Sequence, residues 1–77
     1  MPTLHEERGY AFRFFSSDAP EPPHVHVQGH DGAAKFWLED VELASSRGYT
    51  RRQLDLIAAI VRDHQLEFLD RWHEFFG

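Results

Sequence analysis

The chain contains no cysteine. That excludes a disulfide staple and a thiolate zinc site. It has no apolar run long enough to span a bilayer and no basic-then-apolar leader pattern. A cytoplasmic, bacterial-type protein with no membrane partner is therefore expected. Basic residues are the minority: eight Lys and Arg against thirteen Asp and Glu give a formal net charge of −5. That balance weighs against broad nucleic-acid binding. There is no internal repeat, linker or low-complexity tract. With 77 residues the chain makes one domain, 1–77, near the lower size at which one core suffices.

Aromatic residues are plentiful, with seven Phe, two Trp and two Tyr. Such large side chains compensate for a small core. A core this small also gains by self-association, so a homodimer is expected. Six histidines make the charge sensitive to mild acid.

Hydrophobic periodicity predicts an α+β fold, with a three- or four-stranded antiparallel sheet over about 10–43 and one long amphipathic helix over about 51–76. Residues 1–9 read as a lead-in, partly extended. Tyr10 to Ser16 alternates as a strand with Tyr10, Phe12 and Phe14 on one face. Ser17 to Pro23 is a proline-rich loop. His24 to Gln28 is the second strand, and Gly29-His30-Asp31-Gly32 is a tight turn into a third, Ala33 to Leu38. Val41 to Leu43 reads either as a short strand or as a helical turn ending at Gly48.

Thr50 with Gln53 three residues on forms a capping box at the helix start. Leu54, Ile57, Ala58, Val61, Phe68, Leu69, Trp72, Phe75 and Phe76 form one stripe. A continuous helix would run roughly 35–40 Å, against about 20 Å for a six-residue strand. It overhangs the sheet unless it bends near His64, where Gln65 interrupts the stripe. An overhang needs a partner. Trp72, Phe75 and Phe76 on that overhang, with Leu56 and Ile60, an i, i+4 pair on the outer face, are the candidate partner-binding residues. Asp63, Glu67, Asp70 and Glu74 fall on the opposite, solvent face.

Pro22-Pro23-His24-Val25-His26-Val27 carries the most specific chemistry. The valines alternate with the histidines, so Val25 and Val27 pack inward while His24 and His26 share the other, exposed face. As acid and base they suit metal-independent RNA cleavage. As neutral nitrogens they suit a zinc or nickel ion, with His30 a third candidate ligand. Asp18, Asp31, His5 and His73 are further possible donors. The plainer reading is that both rings cap the proline loop, bonding to backbone or stacking on Trp37 or Phe15. Arg13, Lys35, Arg47, Arg51 and Arg52 are candidate anion- or RNA-binding residues. Arg51 and Arg52 lie in the first helical turn, where cations oppose the helix dipole. Their plainer role is surface pairing with Asp55.

Four blocks carry a family resemblance: the Pro22–Val27 run, Ala34-Lys35-Phe36-Trp37-Leu38, Ser46-Arg47-Gly48-Tyr49-Thr50 and Trp72-His73-Glu74-Phe75-Phe76. They resemble a small bacterial domain-of-unknown-function family marked by the Pro-Pro-His-Val-His-Val signature. The resemblance implies a chain encoded beside a second small protein, as in toxin–antitoxin modules. The product of that adjacent gene is then a partner. It assigns no catalytic residue. Three functions stand open: an RNA-cleaving or RNA-binding toxin using His24 and His26, a non-catalytic dimeric protein-binding module, and a metal-binding protein.

Overall fold

The computed structural model describes residues 3–77; the first two residues of the lead-in lie outside them. Five strands, β1 (Thr3–Glu7), β2 (Tyr10–Arg13), β3 (His24–Gly29), β4 (Gly32–Trp37) and β5 (Glu42–Arg47), precede two helices, α1 (Arg51–Asp63) and α2 (Gln65–Phe76). The strands follow chain order in one antiparallel sheet. The class is α+β as expected, with more strands and a divided helix.

The extra strands have local causes. Arg8 and Gly9 both hold positive φ, 54° and 86°, the backbone of a two-residue hairpin turn. That turn folds the lead-in onto β2 as β1. His30 and Asp31, at 50° and 63°, make the equivalent turn between β3 and β4. Glu42 to Arg47 carries little strand signal, and all six residues are exposed. Pairing to β4 and the anchor beyond it hold β5 in place. The Tyr49 hydroxyl donates to the Gly29 carbonyl at 2.8 Å. The Tyr49 ring lies where a Cβ on residue 32 would stand, so Gly32 admits it.

One sheet face is covered by the helices. Tyr10, Phe12, Phe14, Ala34, Phe36 and Leu38 are buried on it, with Val25 and Val27, as the alternation predicts. The capping box forms: Thr50 Oγ1 accepts from the Gln53 N–H at 3.1 Å, and Gln53 Oε1 accepts from the Thr50 N–H at 2.9 Å.

The single long helix is corrected to two, broken at His64. The break is local. The His64 N–H still reaches the Ile60 carbonyl at 3.1 Å, and the Phe68 N–H reaches the His64 carbonyl at 2.9 Å. Gln65 supplies the polar contact: its Nε2 donates to the carbonyls of Leu38 and Glu39, at 2.7 and 3.1 Å. This elbow brings α2 onto the sheet, with Phe68 against Phe12 and Trp72 edge-on to Phe14.

The elbow also changes the candidate partner surface. Ile60 is only 3% exposed and Trp72 5%, so both belong to the core of their own chain. Ile60 stands three residues from Ile57, and the buried arc of α1 is wider than the stripe drawn through an unbroken helix. Phe76 packs partly buried against the core. Leu56 and Phe75 remain exposed, as do Asp63, Glu67, Asp70 and Glu74.

Candidate metal centre

His24 opens β3 opposite Trp37, and His26 lies opposite both Lys35 and Arg13. The period of two puts both imidazoles on the face away from Val25 and Val27. That face is not open at this end. The loop after β2 makes a turn at Ser16–Asp18 and folds back over the histidines. Two reciprocal bonds close the turn: the Phe15 N–H donates to Asp18 Oδ2 at 2.8 Å, and the Asp18 N–H to the Phe15 carbonyl at 3.0 Å. The Leu38 N–H then ties the Pro23 carbonyl to the end of β4 at 3.0 Å. The expectation of two exposed histidines is therefore corrected. His24 is fully buried, and the His26 side chain is 19% exposed.

Asp18, itself buried, joins the pair. Its Oδ1 lies 3.1 Å from His24 Nε2 and 3.0 Å from His26 Nε2. The three ligand atoms stand within 4.8 Å of one another. His24 Nδ1 lies 2.9 Å from the Pro22 carbonyl oxygen. A carbonyl only accepts, so Nδ1 carries the hydrogen. In the neutral ring Nε2 is then a lone pair facing a carboxylate oxygen. It makes no aligned hydrogen bond there. Two acceptors in that position call for a proton or a cation between them.

Burial pushes the Asp18 carboxyl up, but the Phe15 N–H and the His26 and His24 imidazoles outweigh it and hold it below the usual carboxylate range. Glu21 is also held low, chiefly by the Lys35 ammonium bonded to it; its Oε1 is 3.7 Å from His24 Nδ1. The aromatic contacts match the plainer reading of the motif. His26 stacks on Phe15 with ring centres 4.0 Å apart, and His24 meets Trp37 edge-on at 5.6 Å. Trp72 of α2 adds a third wall, 5.2 Å from the His24 ring.

Of the other proposed ligands, His30 stands at the far end of β3. Its Nε2 donates to the Arg8 carbonyl at 2.9 Å, so it braces the turn between β1 and β2. His73 is exposed on α2, and His5 belongs to a separate group on β1.

The five candidate anion-binding residues divide between places. His26, Lys35, Ser45, Ser46 and Arg47 line a shallow groove on the outer sheet face. Lys35 is already paired with Glu21 and sits 4.6 Å over the Trp37 ring. Arg13 shares the His26 face and donates through Nη2 to Thr3 Oγ1 at 3.2 Å. Arg51 lies elsewhere, in an apolar groove with Val41, Leu43 and Leu54. It pairs with Asp55 at 3.2 Å, an exposed pair of little energetic weight. Arg52 is exposed.

Sequence spacing pointed to His24 and His26 and included Asp18 among possible donors. The plainer reading, rings bonding to the backbone of the proline loop, covers the His24 contact; that the acceptor is the Pro22 carbonyl is set only when the loop folds back.

Compared with known families, residues 9–73 match the domain of unknown function DUF4160. The chain belongs to this family. The matched region runs from β2 through most of α2 and takes in Asp18, His24 and His26, but not β1. No curated protein and no solved structure matches the chain.

Proposed function

We propose that this DUF4160 member is a metal-binding protein whose Asp18, His24 and His26 hold a zinc or nickel ion. The observation that carries this reading is the buried His24 Nε2, left without an aligned hydrogen bond while Nδ1–H is committed to the Pro22 carbonyl. A carbonyl accepting from the far ring nitrogen is how metal-ligating histidines are usually oriented. Bonds of about 2.0–2.1 Å to a tetrahedral ion put neighbouring ligand atoms about 3.3 Å apart. The two nitrogen–oxygen separations here, 3.1 and 3.0 Å, need only small adjustment. Imidazole with carboxylate suits zinc and nickel. Burial of His24 and Asp18 shields the site from solvent.

Uptake of Zn2+ or Ni2+ after desalting tests this. His24→Ala/His26→Ala is expected to retain one equivalent less than wild type. Asp18→Asn should bind more weakly while keeping the Phe15 contact. Equal retention by all three chains refutes the assignment.

One observation favours a second reading, a toxin acting on RNA within a two-gene module. His26, oriented by Asp18, is the one imidazole of the pair that lines the groove with Lys35, Ser45, Ser46 and Arg47. His26 would be the acid–base group and Arg47 a phosphate contact; His24 is too buried to touch a polymer. Induced expression separates the readings. Growth arrest by wild type, lost in His26→Ala and relieved by the neighbouring gene, supports the toxin. Normal growth with soluble protein removes it.

A further inference from the structure

We propose a second divalent-metal site of the zinc class where β1 meets the helix elbow, built from His5 Nε2, Glu7 Oε1 and His64 Nε2. The three atoms lie within 4.8 Å of one another. His5 Nε2 is 2.9 Å from Glu7 Oε1, and His64 Nε2 is 3.5 Å from that same oxygen. These distances bracket the separation of about 3.3 Å expected between ligands of a tetrahedral zinc ion. All three side chains are partly buried, at 23%, 37% and 27% exposure. They are therefore positioned by packing yet open to an arriving ion.

The orientation of His64 is a second observation, independent of the clustering. Its Nδ1 lies 3.1 Å from Glu67 Oε1, one turn along α2. A carboxylate only accepts, so Nδ1 carries the hydrogen, and in the neutral ring Nε2 presents its lone pair toward Glu7. A lone pair facing a carboxylate at 3.5 Å calls for a proton or a cation between them. The carboxylate–histidine pairing is the arrangement that fixes a ligating imidazole. Two aromatic contacts hold the rings: His64 stacks on Phe68 at 5.6 Å, and the His5 and His64 rings lie 4.1 Å apart. The elbow itself makes the site. An unbroken helix would carry residue 64 along a straight axis, whereas the break turns its ring onto β1.

The site repeats the geometry of the Asp18 centre: two Nε2 atoms on one carboxylate oxygen, with a far nitrogen held by an acceptor. It shares no residue with that centre and does not depend on it.

Isothermal titration of the full chain with Zn2+ at neutral pH tests the inference. Wild type is expected to bind one equivalent more than His64→Gln, and one more than Glu7→Gln. Glu67→Ala should keep the stoichiometry and lose about 10–100-fold in affinity. His24→Ala/His26→Ala must retain this second equivalent, which separates failure of one site from failure of the other. Equal stoichiometry in wild type, His64→Gln and Glu7→Gln overturns the site and leaves an imidazole–carboxylate cluster. Thermal melting in EDTA checks that each variant is folded; the partial exposure of His64 and Glu7 makes them tolerant positions.

Discussion

Asp18→Ala is the perturbation with the largest consequence for the loop over β3. The carboxylate is buried and serves three groups: the Phe15 N–H and the Nε2 atoms of His24 and His26. Removing it leaves a backbone donor unsatisfied, which costs about 1–3 kcal/mol. It also strands a fully buried imidazole. The lost bond to His26 and the emptied space add to this, and we expect Asp18→Ala to cost about 2–4 kcal/mol. A domain of this size holds roughly 5 kcal/mol in all, so the variant should lose a large part of its stability. Asp18→Asn keeps an acceptor for Phe15 and offers an amide donor to the His24 lone pair. Its expected cost is about 1–2 kcal/mol. The assay is urea unfolding in EDTA, which removes any metal contribution.

The pH dependence has a definite sign. The folded carboxyl is held below its unfolded value of about 3.9. Its contribution is therefore complete above that value and lost as pH falls through the folded one. The gap between wild type and Asp18→Asn should narrow in acid. A cost for Asp18→Ala below about 1 kcal/mol, or a gap constant from neutral pH into that acid range, refutes the reasoning.

Three further outcomes follow from the packing. Gln65→Ala removes both bonds from the elbow to the end of β4, and should cost about 1–2 kcal/mol; at about 4–8 °C per kcal/mol, a melting scan resolves it. Trp72→Ala empties the space between Phe14, His24 and Phe76 and should cost about 3–5 kcal/mol. Because Trp72 is core, its loss should lower stability at every protein concentration equally, as dilution series would show. Gly29→Ala drives a Cβ into the Gly9 carbonyl at a φ of 140°. It should lower the melting temperature clearly, and an unchanged value would mean that the turn between β1 and β2 yields.

The fold is legible in the sequence where a local pattern decides it. Alternation placed Tyr10, Phe12, Val25, Val27 and Phe36 on the buried face. The capping residues fixed the start of α1. It fell short where distant partners decide. β5 is Glu-Leu-Ala-Ser-Ser-Arg, a run with weak strand preference. It becomes a strand because β4 offers an edge and Tyr49 anchors the chain beyond it. The elbow is legible as a bend near His64, since Gln65 in an apolar stripe needs a partner. The carbonyls of Leu38 and Glu39 that satisfy it belong to another element. His24 looked exposed because period-two alternation assigns a face without saying what covers that face. The loop held by Asp18 does the covering. His64 drew notice only as a bend, because its neighbours on β1 are far away in sequence.

A chain with no cysteine must fasten distant segments by other means, and the polar ties here stand where a staple would. Asp18 joins the proline loop to β3. Gln65 joins the elbow to the end of β4. Glu7 joins β1 to His64, with most of the sheet and all of α1 between them in the chain. A cross-link that closes a longer loop restrains the unfolded chain more, so the Glu7–His64 tie has the most to gain from a strong bond. Zinc there would stabilise the folded state by mass action, about 2.7 kcal/mol at a hundredfold excess over the dissociation constant. In a domain of this size that amounts to roughly 10–20 °C in melting temperature. The rise should persist in His24→Ala/His26→Ala, against that variant's own metal-free melt. It should shrink in His64→Gln to whatever the Asp18 centre supplies. A zinc-induced rise of the same size in wild type and His64→Gln would place all of the stabilisation at Asp18 and leave the elbow as a hinge held by protons alone.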